Sequence, residues 1–217
     1  MHRRSALRFV AATAAASALT ACTHHGMQEN ALAHNKSHNG PHAETQPANP
    51  ARGVVPITEA SPLVATMRSV GDSGVAGTFR FEQAQGGVRV IGAVTGLTPN
   101  TKHGCHIHAF GDASDLEAAA SAGVHFNPFN HDHALPPAEH RHAGAFPNLE
   151  ADAEGNATLD FVDDTITLTT GVTSIMGRSV IIHEKEDIGA QPWGGAGGRI
   201  AVGVIGLANT DLRPASQ

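Results

Sequence analysis

Two histidines stand one residue apart in the stretch HGCHIHAFGD, residues 103–112. Side chains alternate along a strand, so His106 and His108 share one face and Cys105 and Ile107 take the other. Two imidazoles on one strand face can grip one ion. An H-x-H pair is a weak motif by itself, but more histidines follow. A long irregular stretch from about 111 to 144 carries His125, His133 and His142, and the strand-like RSVIIHE carries His183. An all-imidazole set suits copper, zinc or iron rather than magnesium or calcium. The chain holds 15 histidines in 217 residues, which makes metal binding the first chemistry to expect.

Strands must position those imidazoles. PLVATMRS, VAGTFRFEQ and VRVIGAVTG read as strands, the second with Val75, Gly77, Phe79 and Phe81 on one face. VGDSG and AQGG are turns and LTPNTKHG a loop. CHIHAFG, AFPNLEA, ATLDFVD, RSVIIHE and RIAVGVIGLA supply the remaining strands. With 24 glycines, 12 prolines and few helical patterns, the chain is expected to be all-β. The architecture expected is an eight-stranded Greek-key β-barrel or sandwich with two long functional loops. A structureless loop longer than about 15 residues inside a compact domain is usually functional or disordered, and the first long loop here is rich in histidine. The net charge of −6 argues against nucleic acid as the main partner.

Residues 1–21 read as a signal peptide. Arg3, Arg4 and Arg8 flank FVAATAAASAL, an apolar run too short to span a membrane. The run ends in LTAC, residues 19–22, which resembles a bacterial lipobox. On that reading Cys22 is lipidated and tethers a soluble domain to a membrane at the cell envelope, on the periplasmic or another extracytoplasmic side. An ordinary secretory signal with an incidental cysteine is the alternative. Residues 22–60 form a His-rich flexible linker with His24, His25, His34, His38 and His42, too poor in apolar residues to offset chain entropy. It is either a soluble spacer or an arm that captures copper or zinc. The folded domain is expected over 61–210, with 211–217 as a tail.

The segments CHIHAFGD, SAGVHFNP, EHRHAGAFPN, GRSVIIHEKED and GGRIAVGVIGLA resemble, in order and spacing, the Cu,Zn superoxide dismutase family. The likeness runs along roughly residues 62–208. It implies a Greek-key barrel that disproportionates superoxide to oxygen and hydrogen peroxide. His106, His108, His125 and His183 match copper ligands, and His125 also matches the imidazolate that bridges to zinc and donates a proton. His125, His133 and His142 match zinc ligands. Asp187 matches the carboxylate that braces His106 and His133, and Arg199 the arginine that docks the anionic substrate. His103, His131 and His140 match no family role and are expected on the solvated surface. A non-catalytic copper-buffering lipoprotein on the same fold is the rival reading, although a buffer has no need of an anion-docking arginine. Nothing in the sequence specifies the oligomeric state.

The chain departs from that family in three places. The resemblance puts an aspartate ligand of zinc three residues after His142, where Ala145 stands. A zinc site there is expected to be weak or absent, unless Asp132, Glu139 or a water completes it. The family's disulfide positions hold Ala119 and Val202, and the chain's two cysteines are Cys22 and Cys105. Cys105 is expected in the barrel core as a small apolar residue. The loop EKEDIGAQPWGGAGG between His183 and Arg199 is short, which implies a more open channel.

Overall fold

The computed structural model describes residue 58 and residues 61–210. The expected signal peptide, Cys22, the His-rich segment and the tail from 211 lie outside the described residues. The described strands are β1 (Leu63–Ser69), β2 (Ala76–Ala84), β3 (Gly87–Thr95), β4 (Lys102–His103), β5 (Cys105–His108), β6 (Leu149–Glu150), β7 (Ala157–Asp163), β8 (Ser179–His183) and β9 (Arg199–Leu207). The other regular element is a 3-10 turn at Ala120–Ala122. The protein is all-β. No described helix is long and apolar enough to cross a membrane.

Alternation explains the strands. In β1, Leu63, Ala65 and Met67 point inward while Thr66 and Arg68 are exposed. In β3, Val88, Val90 and Val94 point inward. The β2–β3 hairpin pairs Ala84 with Gly87 across a tight turn in which Gly86 has φ 88, a conformation that favours glycine. The main sheet runs in the order β5-β8-β9-β1-β2-β3-β7. Its two ends meet through β6, which pairs with β4 and packs beside β7. A bridge from His106 to Ala145 extends that seam, so the antiparallel sheet curls closed. After β3 the chain crosses to β4 and β5 on the far side, returns through β6 and β7, and crosses again to β8, which is Greek-key connectivity.

The interior is apolar. Phe79, Phe81, Ile107, Phe146, Leu149, Ile182 and Ile205 are buried there, each contributing roughly 1.5–3 kcal/mol by leaving water. Cys105 joins this cluster as a free thiol, and burial raises its pKa. A second, smaller cluster lies under the first long loop: Val70, Ala119, Ala122, Ile181 and Val202. Ala119 and Val202, the positions where the resemblance placed a disulfide, are therefore packed apolar neighbours. Side-chain contact secures the loop there.

Two expectations need correction. LTPNTKHG is not all loop, because Lys102–His103 form β4. Two residues are too short to show periodicity. His103 is not on the solvated surface but 1% exposed. Its Nδ1 donates to the carbonyl of His183 at 2.9 Å, and its Nε2 lies 2.8 Å from the Thr101 hydroxyl. Those two bonds offset the cost of burying a polar ring. His131 is half-buried, with Nδ1 3.2 Å from the carbonyl of Arg141, and His140 is exposed.

Candidate metal centre

Strand β5 places His106 and His108 on one face, with Cys105 and Ile107 in the core behind them. Strand β8 ends at His183, beyond a register shift that sets it opposite Arg199. The first long loop folds back on β5, where His125 bridges to His108 and the amide of Phe126 donates to Ile107. Three segments distant in sequence thus converge on one buried cluster.

Hydrogen bonds assign the ring nitrogens. His106 Nε2 donates to Asp187 Oδ2 at 2.7 Å, which leaves Nδ1 bare. His108 Nδ1 donates to the carbonyl of Gly123 at 2.9 Å, and His183 Nδ1 to that of Gly197 at 3.3 Å, leaving Nε2 bare on both. The bare atoms (His106 Nδ1, His108 Nε2 and His183 Nε2) and His125 Nε2 are buried without a partner. Buried polar atoms rarely go unsatisfied. These lie within 4.8 Å of one another, which is the arrangement of four lone pairs aimed at one ion.

A second set adjoins the first. His133 Nε2 donates to the same Asp187 Oδ2 at 2.8 Å, so its Nδ1 faces the other way. The Nδ1 atoms of His125 and His133 lie 3.2 Å and 3.4 Å from His142 Nδ1. His125 therefore presents Nε2 to one set and Nδ1 to the other. Neither Asp132 nor Glu139 joins the second set; both are exposed. Ala145 is wholly buried and offers only a methyl group.

Burial, helped by the neighbouring imidazoles, keeps these rings neutral. It lowers His106, lowers His108 and His125 well below their ordinary value, and pushes His183 to about 3 and His142 to about 4. Neutral imidazole is the ligand form. Burial alone would raise the Asp187 carboxyl. Hydrogen bonds from His106, His133 and the Gly189 amide outweigh it and hold the group far below the ordinary carboxylate range.

Several positioning residues carried no sequence signal that marked them. The side-chain amide of Asn148 grips the backbone of Asp187, accepting at 2.8 Å and donating at 2.9 Å. Gln191 does the same for His133, at 3.0 Å and 2.7 Å. Arg141, next to His142, is buried against Asp163 and Asp164 at 3.3 Å and 3.0 Å and ties the loop to β7. Gly194, at φ 79, passes so close to Asp187 that any side chain would collide with its carboxylate. Arg199 is half-buried at the rim, its guanidinium bonded to the carbonyls of Ala119 and Gly123. It lines a cavity of about 490 Å³ together with His108, His125, His183 and Trp193.

A family model described as Copper/zinc superoxide dismutase (SODC) matches residues 75–205. The chain belongs to the copper/zinc superoxide dismutase family. It is 44% identical over 148 residues to the superoxide dismutase [Cu-Zn] of Saccharomyces cerevisiae, covering 64% of this chain and 94% of the relative. It is 42% identical over 154 residues to the superoxide dismutase [Cu-Zn] of Humicola lutea, covering 67% and 97%. The extracellular superoxide dismutase [Cu-Zn] of Brugia pahangi is 36% identical over 163 residues, covering 70% and 79%. A crystal structure described as that of the clock protein EA4 superposes with a TM-score of 0.63 at 37% identity, covering 70% of this chain and 98% of that one.

Membership in the copper/zinc superoxide dismutase family implies copper and zinc. The first histidine set fits its ion, because four buried nitrogens lack any other partner. The second fits less well. It offers three neutral nitrogens and no carboxylate among the described residues, where a structural zinc normally takes four protein ligands.

Proposed function

We propose that this chain disproportionates superoxide to oxygen and hydrogen peroxide at the four-histidine set formed by His106, His108, His125 and His183. The observation that carries the reading is their arrangement: bare, buried nitrogens converge at the base of a cavity that has Arg199 at its rim. Copper held there supplies reversible one-electron exchange. The chain's own residues do the rest. Arg199 stays charged at any working pH and attracts a small anion. Two of its nitrogens are held by the carbonyls of Ala119 and Gly123, which fixes the guanidinium. A guanidinium has five N–H donors, so donors remain for the substrate. His125 is the proton-handling group. Its Nε2 belongs to the four-histidine set and its Nδ1 to the other, so the ring could carry a proton on Nε2 and pass it into the cavity only while that nitrogen was released from the ion.

His183→Ala should abolish dismutation together with tight copper binding. Arg199→Ala should keep copper and slow turnover on the order of tenfold or more, ~1.4 kcal/mol per decade. Full activity in the first variant sinks the assignment. Copper loss in the second makes Arg199 structural. Copper retention by the parent without dismutation would favour the buffering reading.

Zinc binding at His125, His133 and His142 is proposed as weak, because Ala145 removes both a bond and the charge that offsets the cation. The setting is proposed as extracytoplasmic, with lipidated Cys22 as the tether; LTAC after an apolar run supports it. Cys22→Ser should release the protein from the membrane fraction or block its processing, and unchanged membrane association would refute the anchor.

A further inference from the structure

Two loop histidines belong to neither buried set. The rings of half-buried His131 and exposed His140 stand 5.1 Å apart, edge to face at 64°. His131 is held firmly. The side chain of Asn127 brackets its backbone, accepting from the His131 amide at 3.0 Å and donating to its carbonyl at 2.8 Å. The Phe129 ring lies beside the imidazole, with centroids 5.8 Å apart and planes 33° from parallel. Nδ1 of His131 donates to the carbonyl of Arg141 at 3.2 Å, and Arg141 is itself anchored by Asp163 and Asp164. A backbone carbonyl on one ring nitrogen is how proteins commonly fix the tautomer of a metal-binding histidine. Here it leaves Nε2 with the lone pair and with no hydrogen-bond partner among the described residues.

We infer that His131 and His140 form a separate surface site that chelates one divalent ion of the imidazole-preferring class: copper(II), nickel(II) or zinc. Metal–imidazole bonds are about 2 Å long, so two rings at this separation can reach a single ion between them. One partner is fixed and the other adjustable. His131 is oriented before any ion arrives, while exposed His140 turns between rotamers at little cost. Two exposed carboxylates, Asp132 and Glu139, adjoin the pair in sequence and make no ion pair among the described residues. Their charge draws a dication and repels an anion. Glu139 also shares with His131 a surface cavity of about 370 Å³. Nitrogen donors select copper, nickel or zinc over magnesium or calcium. With two protein imidazoles the ion keeps water in its other positions, so it exchanges more freely than an ion enclosed by the buried sets. Neither ring belongs to those sets, and the site is independent of what they hold.

The test uses the full chain, labelled for amide NMR. Cuprous copper and zinc are supplied first and the excess removed, so that any ion in the buried sets is diamagnetic. Nickel(II) chloride is then titrated. The expected result is saturable paramagnetic broadening centred on Phe129–Asp132 and Glu139–His140, distinct from any broadening at the histidines of residues 24–42. His140→Gln changes an exposed side chain and should weaken the local nickel affinity at least roughly tenfold. His131→Gln should do the same, and Glu139→Gln should cost less than either. Absence of local broadening overturns the inference, as does broadening confined to residues 24–42. Local broadening that is indifferent to His140→Gln also overturns it, because nickel would then sit on His131 alone or in the neighbouring three-imidazole set. Should His131→Gln disturb the loop, the His140→Gln comparison decides by itself. No outcome depends on superoxide turnover, so the dismutase reading is tested separately.

Discussion

One carboxylate oxygen, Asp187 Oδ2, accepts from His106 at 2.7 Å and from His133 at 2.8 Å, while Oδ1 accepts the Gly189 amide at 2.8 Å. A single side chain thereby sets the tautomers of one ring in each histidine set. Asp187→Asn is nearly isosteric, yet its amide group must face either the two imidazole donors or the Gly189 donor. Either orientation loses an acceptor and the negative charge. Loss of such a bracing group typically costs about 10- to 100-fold in metal affinity. Metal retained after dialysis against graded chelator should fall by that factor, with the barrel's circular dichroism unchanged; retention equal to the parent's would show that the carboxylate only fills space. The histidines were legible in the sequence because residue type and the H-x-H spacing mark metal chemistry, whereas Asp187 was legible only through the family resemblance of GRSVIIHEKED. Asn148 and Gln191 were not. Their partners lie 39 and 58 residues away, and an amide side chain has no distinctive spacing.

At the scale of elements, the long loop is held by three unlike devices. The apolar cluster of Val70, Ala119, Ala122, Ile181 and Val202 fastens its first half. The buried ion pair of Arg141 with Asp163 fastens its second half to β7. Arg178 lies 3.6 Å over the ring of Phe126, just after His125, and donates to the carbonyl of Ala109 at 2.7 Å. Ile181→Ala should destabilise the protein by about 2–5 kcal/mol and also slow dismutation, because the Ala119 carbonyl that holds Arg199 belongs to the same cluster. Thermal melting and steady-state assays measure the two effects. Arg141→Ala leaves Asp163 buried without its cation, a loss of about 3–5 kcal/mol. Reductant offers a complementary measurement: dithiothreitol in excess over protein should leave the melting temperature unchanged, because Cys105 is a free buried thiol. The strands were readable from alternation in ATLDFVD and VRVIGAVTG. The apolar replacement for the disulfide was not, since single alanines and valines give no sign of which residues they touch.

For the whole molecule, the buried rings make stability depend on pH in a defined direction. Folding holds His183 at about 3 and His142 at about 4, chiefly by burial, whereas an unfolded histidine takes up its proton near ~6.5. Between those values the unfolded chain binds more protons than the folded one. Stability is therefore full above ~6.5 and declines as pH falls toward the folded values. Burial lowers His106, His108 and His125 in the same sense, so the effects accumulate. Asp187 acts in the same direction at lower pH. Its folded value is depressed, so its contribution is present above ~3.9 and is lost in stronger acid. Exposed carboxylates such as Asp160, held low by its hydrogen bond to Arg89, also act only in that lower window. The histidine window is thus separable from the carboxylate window. The metal-free protein should lose melting temperature steadily from about pH 6.5 to pH 4, as followed by calorimetry at constant ionic strength. His142→Gln should flatten that slope measurably, because it removes one proton-binding site from the unfolded chain. Metal loading should protect the protein across the same window, since a bound ion stabilises only the folded state. A melting temperature constant across that window in the metal-free protein would mean that the rings accept protons in place, and that the cluster opens to water more freely than its burial implies.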